Sequence, residues 1–167
     1  MTFYPTDSGA TISDDKKYRY LLWREWKSSG FKKPFGTVLF VMLNPSTADG
    51  KADDPTIRRC IDFAQQRNMA RLEVVNLFAW RATDPDELLK ADDPVGPLND
   101  DAIKAAAKRA NVIVCAWGTK GWINDRAKYV KAMLELKHPL YAFGFTQGKH
   151  PKHPLYLAKD TKLVRFK

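Results

Sequence analysis

LFVMLNPSTADGKADD, residues 39–54, is the stretch that decides the fold. The apolar run Thr37-Val-Leu-Phe-Val-Met-Leu43 stops abruptly at Asn44-Pro45-Ser46-Thr47. After a small acidic loop, Asp54-Pro55 opens a helix-like segment. A strand buried on both faces reads as such a continuous apolar run, and open α/β sheets bind ligands beyond the carboxyl ends of their strands. Asn44 then falls at the mouth of a sheet, with its amide facing a crevice. Asn-Pro also starts ordinary turns, so the segment alone leaves both readings open.

The same pattern recurs further along the chain. Arg71–Phe78, Val112–Ala116 and Leu140–Phe143 are apolar runs of strand length. The aromatic segment Tyr18–Trp26 reads as a further strand, expected to pair with 37–43 as a hairpin-like unit across a turn at 28–34. Between these lie helical signals. Asp54 can cap a helix that starts at Pro55, with Ile57, Cys60, Ile61 and Ala64 on one face. Thr83 or Asp84 can cap a short helix over 85–90, and Asn99 an alanine-rich helix to Arg109. Ile123, Ala127, Val130 and Leu134 mark one more apolar face. Alternating strands and helices predict a three-layer α/β/α domain over 16–167 with a mainly parallel central sheet, preceded by a loose arm at 1–15.

Bulk properties narrow the function. With 44% hydrophobic residues over 167 positions the chain can bury a core without staples. It has no apolar stretch near the roughly 18 residues of a membrane span and no secretory leader, which points to the cytoplasm. Cys60 and Cys115 sit in apolar periodic segments and read as buried thiols of a reducing compartment. The charge is uneven: residues 1–103 carry a net −2 and residues 104–167 a net +11, within a total of +9. Such a basic half suits a polyanion such as nucleic acid, although it also serves a solvated surface.

Polar residues gather at the expected strand ends. The first end offers Asn44, Ser46, Thr47 and Asp49; the second Asn76, then Phe78, Trp80 and Arg81; the last leads into a loop with His150 and His153. Two amides and a histidine on one sheet edge can hold a heterocyclic base, or orient a water and support a departing anion. The spacing of Asp49, Asp53 and Asp54 fits no calcium loop, and these acids suit a helix N-terminus better than a metal. No metal or cofactor is expected. G-x-S-x-G, P-loop and G-x-G-x-x-G motifs do not occur, which argues against a serine nucleophile or a Gly-rich phosphate loop.

From Arg19-Tyr-Leu-Leu-Trp-Arg24 onward the chain resembles a bacterial and phage family known as domain of unknown function 1643. VMLNPSTAD at 41–49, DDPTIRRC at 53–60, EVVNLFAWRATDP at 73–85, DPVGPLND at 93–100, AWG at 116–118 and GKHPKHPLYL at 148–157 carry the match. More remotely, the order of motifs is similar to the uracil-DNA glycosylase superfamily. The resemblance implies that Asn44 orients the attacking water and that Asn76, ending Val74-Val75-Asn76, reads the base. It also implies that His153, in His153-Pro154-Leu155-Tyr156-Leu157, stabilises the leaving base, with His150-Pro151 as a rival register.

The expected function is recognition of a nucleobase and hydrolysis of its N-glycosidic bond. Asn44, His153 and Asp49 would be the catalytic groups. Asn76, Ser46, Thr47 and His150 would line the substrate, with Phe78 or Trp80 stacking on it. Lys149 and Lys152 would hold phosphates of DNA or of a nucleotide. A non-catalytic nucleic-acid-binding module, or an enzyme of free nucleosides or nucleotides, are the alternatives.

Overall fold

A computed structural model describes residues 5–27, 33–120 and 123–167. The strands are β1 (Asp7–Ile12), β2 (Arg19–Glu25), β3 (Thr37–Met42), β4 (Arg71–Asn76), β5 (Val112–Cys115), β6 (Leu140–Ala142) and β7 (Val164–Arg165). They form one sheet in the order β1-β2-β4-β3-β5-β6-β7. Three helices, α1 (Pro55–Gln66), α2 (Asn99–Arg109) and α3 (Asn124–Glu135), connect its inner strands.

The protein is thus mixed α/β, and the expectation of a mainly parallel sheet needs correction. Only β4-β3-β5-β6 run parallel; β1, β2 and β7 join antiparallel. The inner strands are parallel because a helical crossover separates each pair along the chain. The stretch from β2 to β3 supplies no such helix among the described residues, and β2 instead runs antiparallel to β4, with Leu22 opposite Val74. The hairpin-like pairing of 18–26 with 37–43 is therefore replaced by insertion of β4 between them. The turn expected at 28–34 lies largely outside the described residues. Residues 7–12, read as part of a loose arm, form β1 along the outer edge of β2.

Each inner strand feeds two cores, which explains its unbroken apolar run. Val38, Phe40 and Met42 of β3 face α1, meeting Ile57, Cys60, Phe63 and Ala64. Leu39, Val41 and Leu43 face the opposite cluster, with Ile103 and Ala106 of α2 and Val130 and Leu134 of α3. Asp54 caps α1 as expected, its carboxylate accepting from the Ile57 N–H at 2.8 Å. Asp84 likewise caps a 3-10 turn at Pro85–Lys90. Asn99 does not cap α2. It sits inside the first turn, fully buried, and its amide donates to the Asn76 and Leu77 carbonyls at 3.0 and 3.1 Å. Both cysteines are free and buried, and burial pushes their thiols well up. Among the described residues no helix is long and apolar enough to cross a membrane.

Candidate functional site

The carboxyl ends of β3, β4 and β5 open onto a cleft of about 350 Å³. Asn44, Ser46, Asn76 and His153 all line it, so two amides and one histidine from three separate segments meet there. The loops that carry them are tied together. Pairing continues past β3 and β4 through Leu77 N–H to the Met42 carbonyl and Phe78 N–H to the Leu43 carbonyl. The Asn44 amide nitrogen donates to the carbonyls of Ala82 (2.9 Å) and Pro45 (3.1 Å), bridging the two loops. Those two bonds use the amide nitrogen, and Asn44 lines the cleft.

Asn76 is 1% exposed, and its Oδ1 is buried without a partner. Its backbone is fixed from behind: Asn99 holds the Asn76 and Leu77 carbonyls, and Arg126 donates to the Leu77 carbonyl at 2.8 Å. A buried polar atom left unpaired in so anchored a residue marks a position that serves something other than the fold.

His153 enters from the loop after β6. Gly118, three residues past β5, adjoins it: its φ of +72° favours glycine, and a Cβ there would be in ordinary contact with that of His153 at 3.5 Å. The Gly118 N–H donates to the Pro151 carbonyl at 3.0 Å, pinning the loop. His153 Nδ1 accepts from the Leu155 N–H at 3.3 Å, so the ring proton of the neutral form is on Nε2. Burial lowers its pKa below the usual imidazole value, with Asp54 pulling the other way. The neutral ring can donate one hydrogen bond from Nε2.

Several expected members lie elsewhere. Asp49 does not line the cleft. Its carboxylate accepts from the Lys51 and Ala52 N–H groups at 2.8 and 2.9 Å, and those bonds hold its pKa below the usual value. Thr47 is exposed and borders a neighbouring hollow with Arg81. Phe78 is buried in the α2–α3 core, and Trp80 turns its ring edge-on to Tyr18 at 5.4 Å. His150 and Lys149 line a second hollow of about 300 Å³ against α3, and Lys152 is exposed. Of the two histidine registers, it is His153 that shares the cleft with the asparagines.

Other groups in the cleft were not read from the sequence as site residues. Asp54, seen only as a cap, supplies its carboxylate, and Trp117 is the aromatic side chain there. Trp117 is buried with its indole N–H unpartnered, and it also borders the second hollow. Lys120 stands at the rim, paired with Asp86 at 3.0 Å. Arg19, the first residue of β2, is 2% exposed and lines the cleft as well. Trp117 falls in the AWG motif and Arg19 opens the Arg19–Arg24 stretch, but neither has a spacing that marks it as a site residue. Among the described residues no three His, Cys, Asp or Glu side chains gather as metal ligands.

The family model described as Protein of unknown function (DUF1643) matches residues 19–155, which include every strand end that builds the cleft. No curated protein and no solved structure matches the chain. The match covers well over half of the sequence, and the chain belongs to this family of proteins of unknown function.

Proposed function

We propose that the protein is a nucleobase-recognising N-glycosidic hydrolase, similar in site plan to uracil-DNA glycosylases and acting on a modified or non-standard base. The observation that carries the reading is the meeting of Asn44, Asn76 and His153 in one cleft. Asn76 offers an unpaired amide oxygen to a base edge, and Trp117 adds an unpartnered indole N–H in the wall of the cleft. Asn44 Oδ1 accepts a hydrogen bond from the attacking water. The C1′–N bond breaks with its electron pair passing to the base, and the sugar gains oxocarbenium character that needs only a weak nucleophile. His153 Nε2–H donates to the charge developing on the base. The water oxygen bonds to C1′, and its released proton neutralises the departing base. Asp54, rather than Asp49, is the carboxylate near enough to the cleft to support the positive sugar.

The second hollow supports a nucleic-acid substrate. Lys128 and Lys131 of α3 and Lys149 of the 144–153 loop surround it, and it shares the Trp117 wall with the cleft. A strand whose phosphates lie on these lysines can present one base to the cleft. The test is incubation of the pure protein with DNA carrying normal, deaminated and hypermodified bases, followed by an assay for abasic sites. Abasic sites at one or a few base types are expected. A folded protein that binds DNA and cleaves no base or nucleoside in a broad panel would make it a binding module instead.

A further inference from the structure

We infer that the cleft reserves the Arg19 guanidinium for an oxyanion on its ligand, a carboxylate or a phosphate. This deepens the reading above and rests on it for the cleft being the binding site. Among the described residues the Arg19 guanidinium makes one hydrogen bond, from Nη1 to the Ala48 carbonyl at 2.8 Å. Its Nε is buried without a partner, and no carboxylate among the described residues lies within ion-pair distance. Arg24, on the same strand and as deeply buried, shows what a purely structural arginine looks like here. It pairs with Asp53 at 2.8 Å and donates to the carbonyls of Trp23, Asp49 and Ala52. The fold thus satisfies one buried guanidinium and leaves the Nε of the other, in the wall of the cleft, without a partner.

The surroundings favour an anion at that point. The first turn of α1 contributes Thr56 and Ile57 to the wall, which brings the positive end of the helix to the cleft. Arg81 borders the adjoining hollow, while Lys120, which also lines the cleft, is paired with Asp86. Asp54 is the opposing charge, and one of its oxygens is committed to the α1 cap. Burial lowers the Arg19 pKa to about 10, which still leaves it charged at neutral pH. A planar guanidinium with an unpartnered Nε–H matches a carboxylate or phosphate in geometry and charge. A neutral base supplies acceptors but no counter-charge. The anion would be a substituent on the base or the phosphate of a nucleotide.

The test is calorimetric titration at fixed ionic strength with uracil against 5-carboxyuracil, uridine against its 5′-monophosphate, and guanosine as a neutral ligand with a two-acceptor edge. We expect one anionic ligand to bind about tenfold or more tightly than its neutral counterpart, the size of a charge-assisted hydrogen bond. The pair that shows the gain identifies the source of the oxyanion. Arg19→Gln should erase the ratio and Arg19→Lys should keep part of it. A crystal structure of the wild-type protein with the preferred anion should place it on Arg19, whether or not the variants fold. Equal binding within both pairs, guanosine as the tightest ligand, or a gain that survives in folded Arg19→Gln would overturn the inference. Base release with no anion preference would remove the inference and leave the hydrolase. An anion preference with no N-glycoside cleaved would remove the hydrolase and leave the oxyanion pocket.

Discussion

A buried amide oxygen without a partner is costly, and Asn76 holds one at the end of a rigid strand. Leaving such a group unpaired costs on the order of 1–3 kcal/mol, whereas an apolar group of like volume avoids that cost. Asn76→Leu should therefore leave stability unchanged or raise it by about 1 kcal/mol in urea denaturation, while removing base discrimination. A marked loss of stability would make the amide structural. His153 gives a prediction in pH. Its folded pKa lies below the ordinary 6.5 because burial disfavours the imidazolium. Its stabilising contribution is full above the unfolded value and is lost as pH falls through the lowered folded value, where the unfolded chain takes up a proton more readily. Denaturation midpoints measured from pH 8 downward should fall more steeply below about 6.5 in the wild type than in His153→Gln. Asn44, Asn76 and His153 were legible because each follows an apolar run or sits in a distinctive loop. Arg19 was not: inside the Tyr18–Trp26 strand it shows no site spacing, and the contact that holds its guanidinium comes from Ala48, in a loop some thirty residues away.

At the scale of elements, that loop is held by β2. Arg24 is 1% exposed and links three points of the 49–53 stretch: Asp53 by an ion pair, and the Asp49 and Ala52 carbonyls. Asp53 is 23% exposed and can be solvated when its partner is lost, so Arg24→Met should cost about 2 kcal/mol in chemical denaturation, the size of a hydrogen bond to a charged group. It should also weaken base binding, because the loop carries Ser46 and ends at Asp54. A variant with wild-type stability would show that the loop stands without its strut. The inner strands were legible because burial on both faces writes a continuous apolar run into them. Their neighbours were not. β1, Asp-Ser-Gly-Ala-Thr-Ile, is half solvent-facing at an edge and lacks that run, and β7 is two exposed residues. Pairing order is a long-range property, so no local signal revealed that β4 would separate β2 from β3. Asn99 looked like a cap from its place before an alanine-rich helix, yet the nearby Asn76 and Leu77 carbonyls claim its amide.

Across the whole molecule, three lysines of the +11 half lie beside the site. Lys128, Lys131 and Lys149 all come from that half and border the hollow that shares Trp117 with the cleft. If they hold phosphates, affinity for DNA should fall steeply between about 50 and 200 mM salt, and replacing Lys128 and Lys149 by Gln should flatten the slope. Retardation independent of salt would assign these lysines to solubility. The central claim is that the cleft breaks an N-glycosidic bond with a water placed by Asn44. Its amide nitrogen also ties two loops, so Asn44→Ala should lose about 1 kcal/mol of stability yet remain folded and bind DNA. The measurement that tests the claim most directly is single-turnover formation of abasic sites by wild type and Asn44→Ala on the base the wild type releases. A loss of about 100-fold or more is expected in the variant, with binding preserved, because water positioning acts in the transition state. A folded Asn44→Ala that forms abasic sites at the wild-type rate would contradict it.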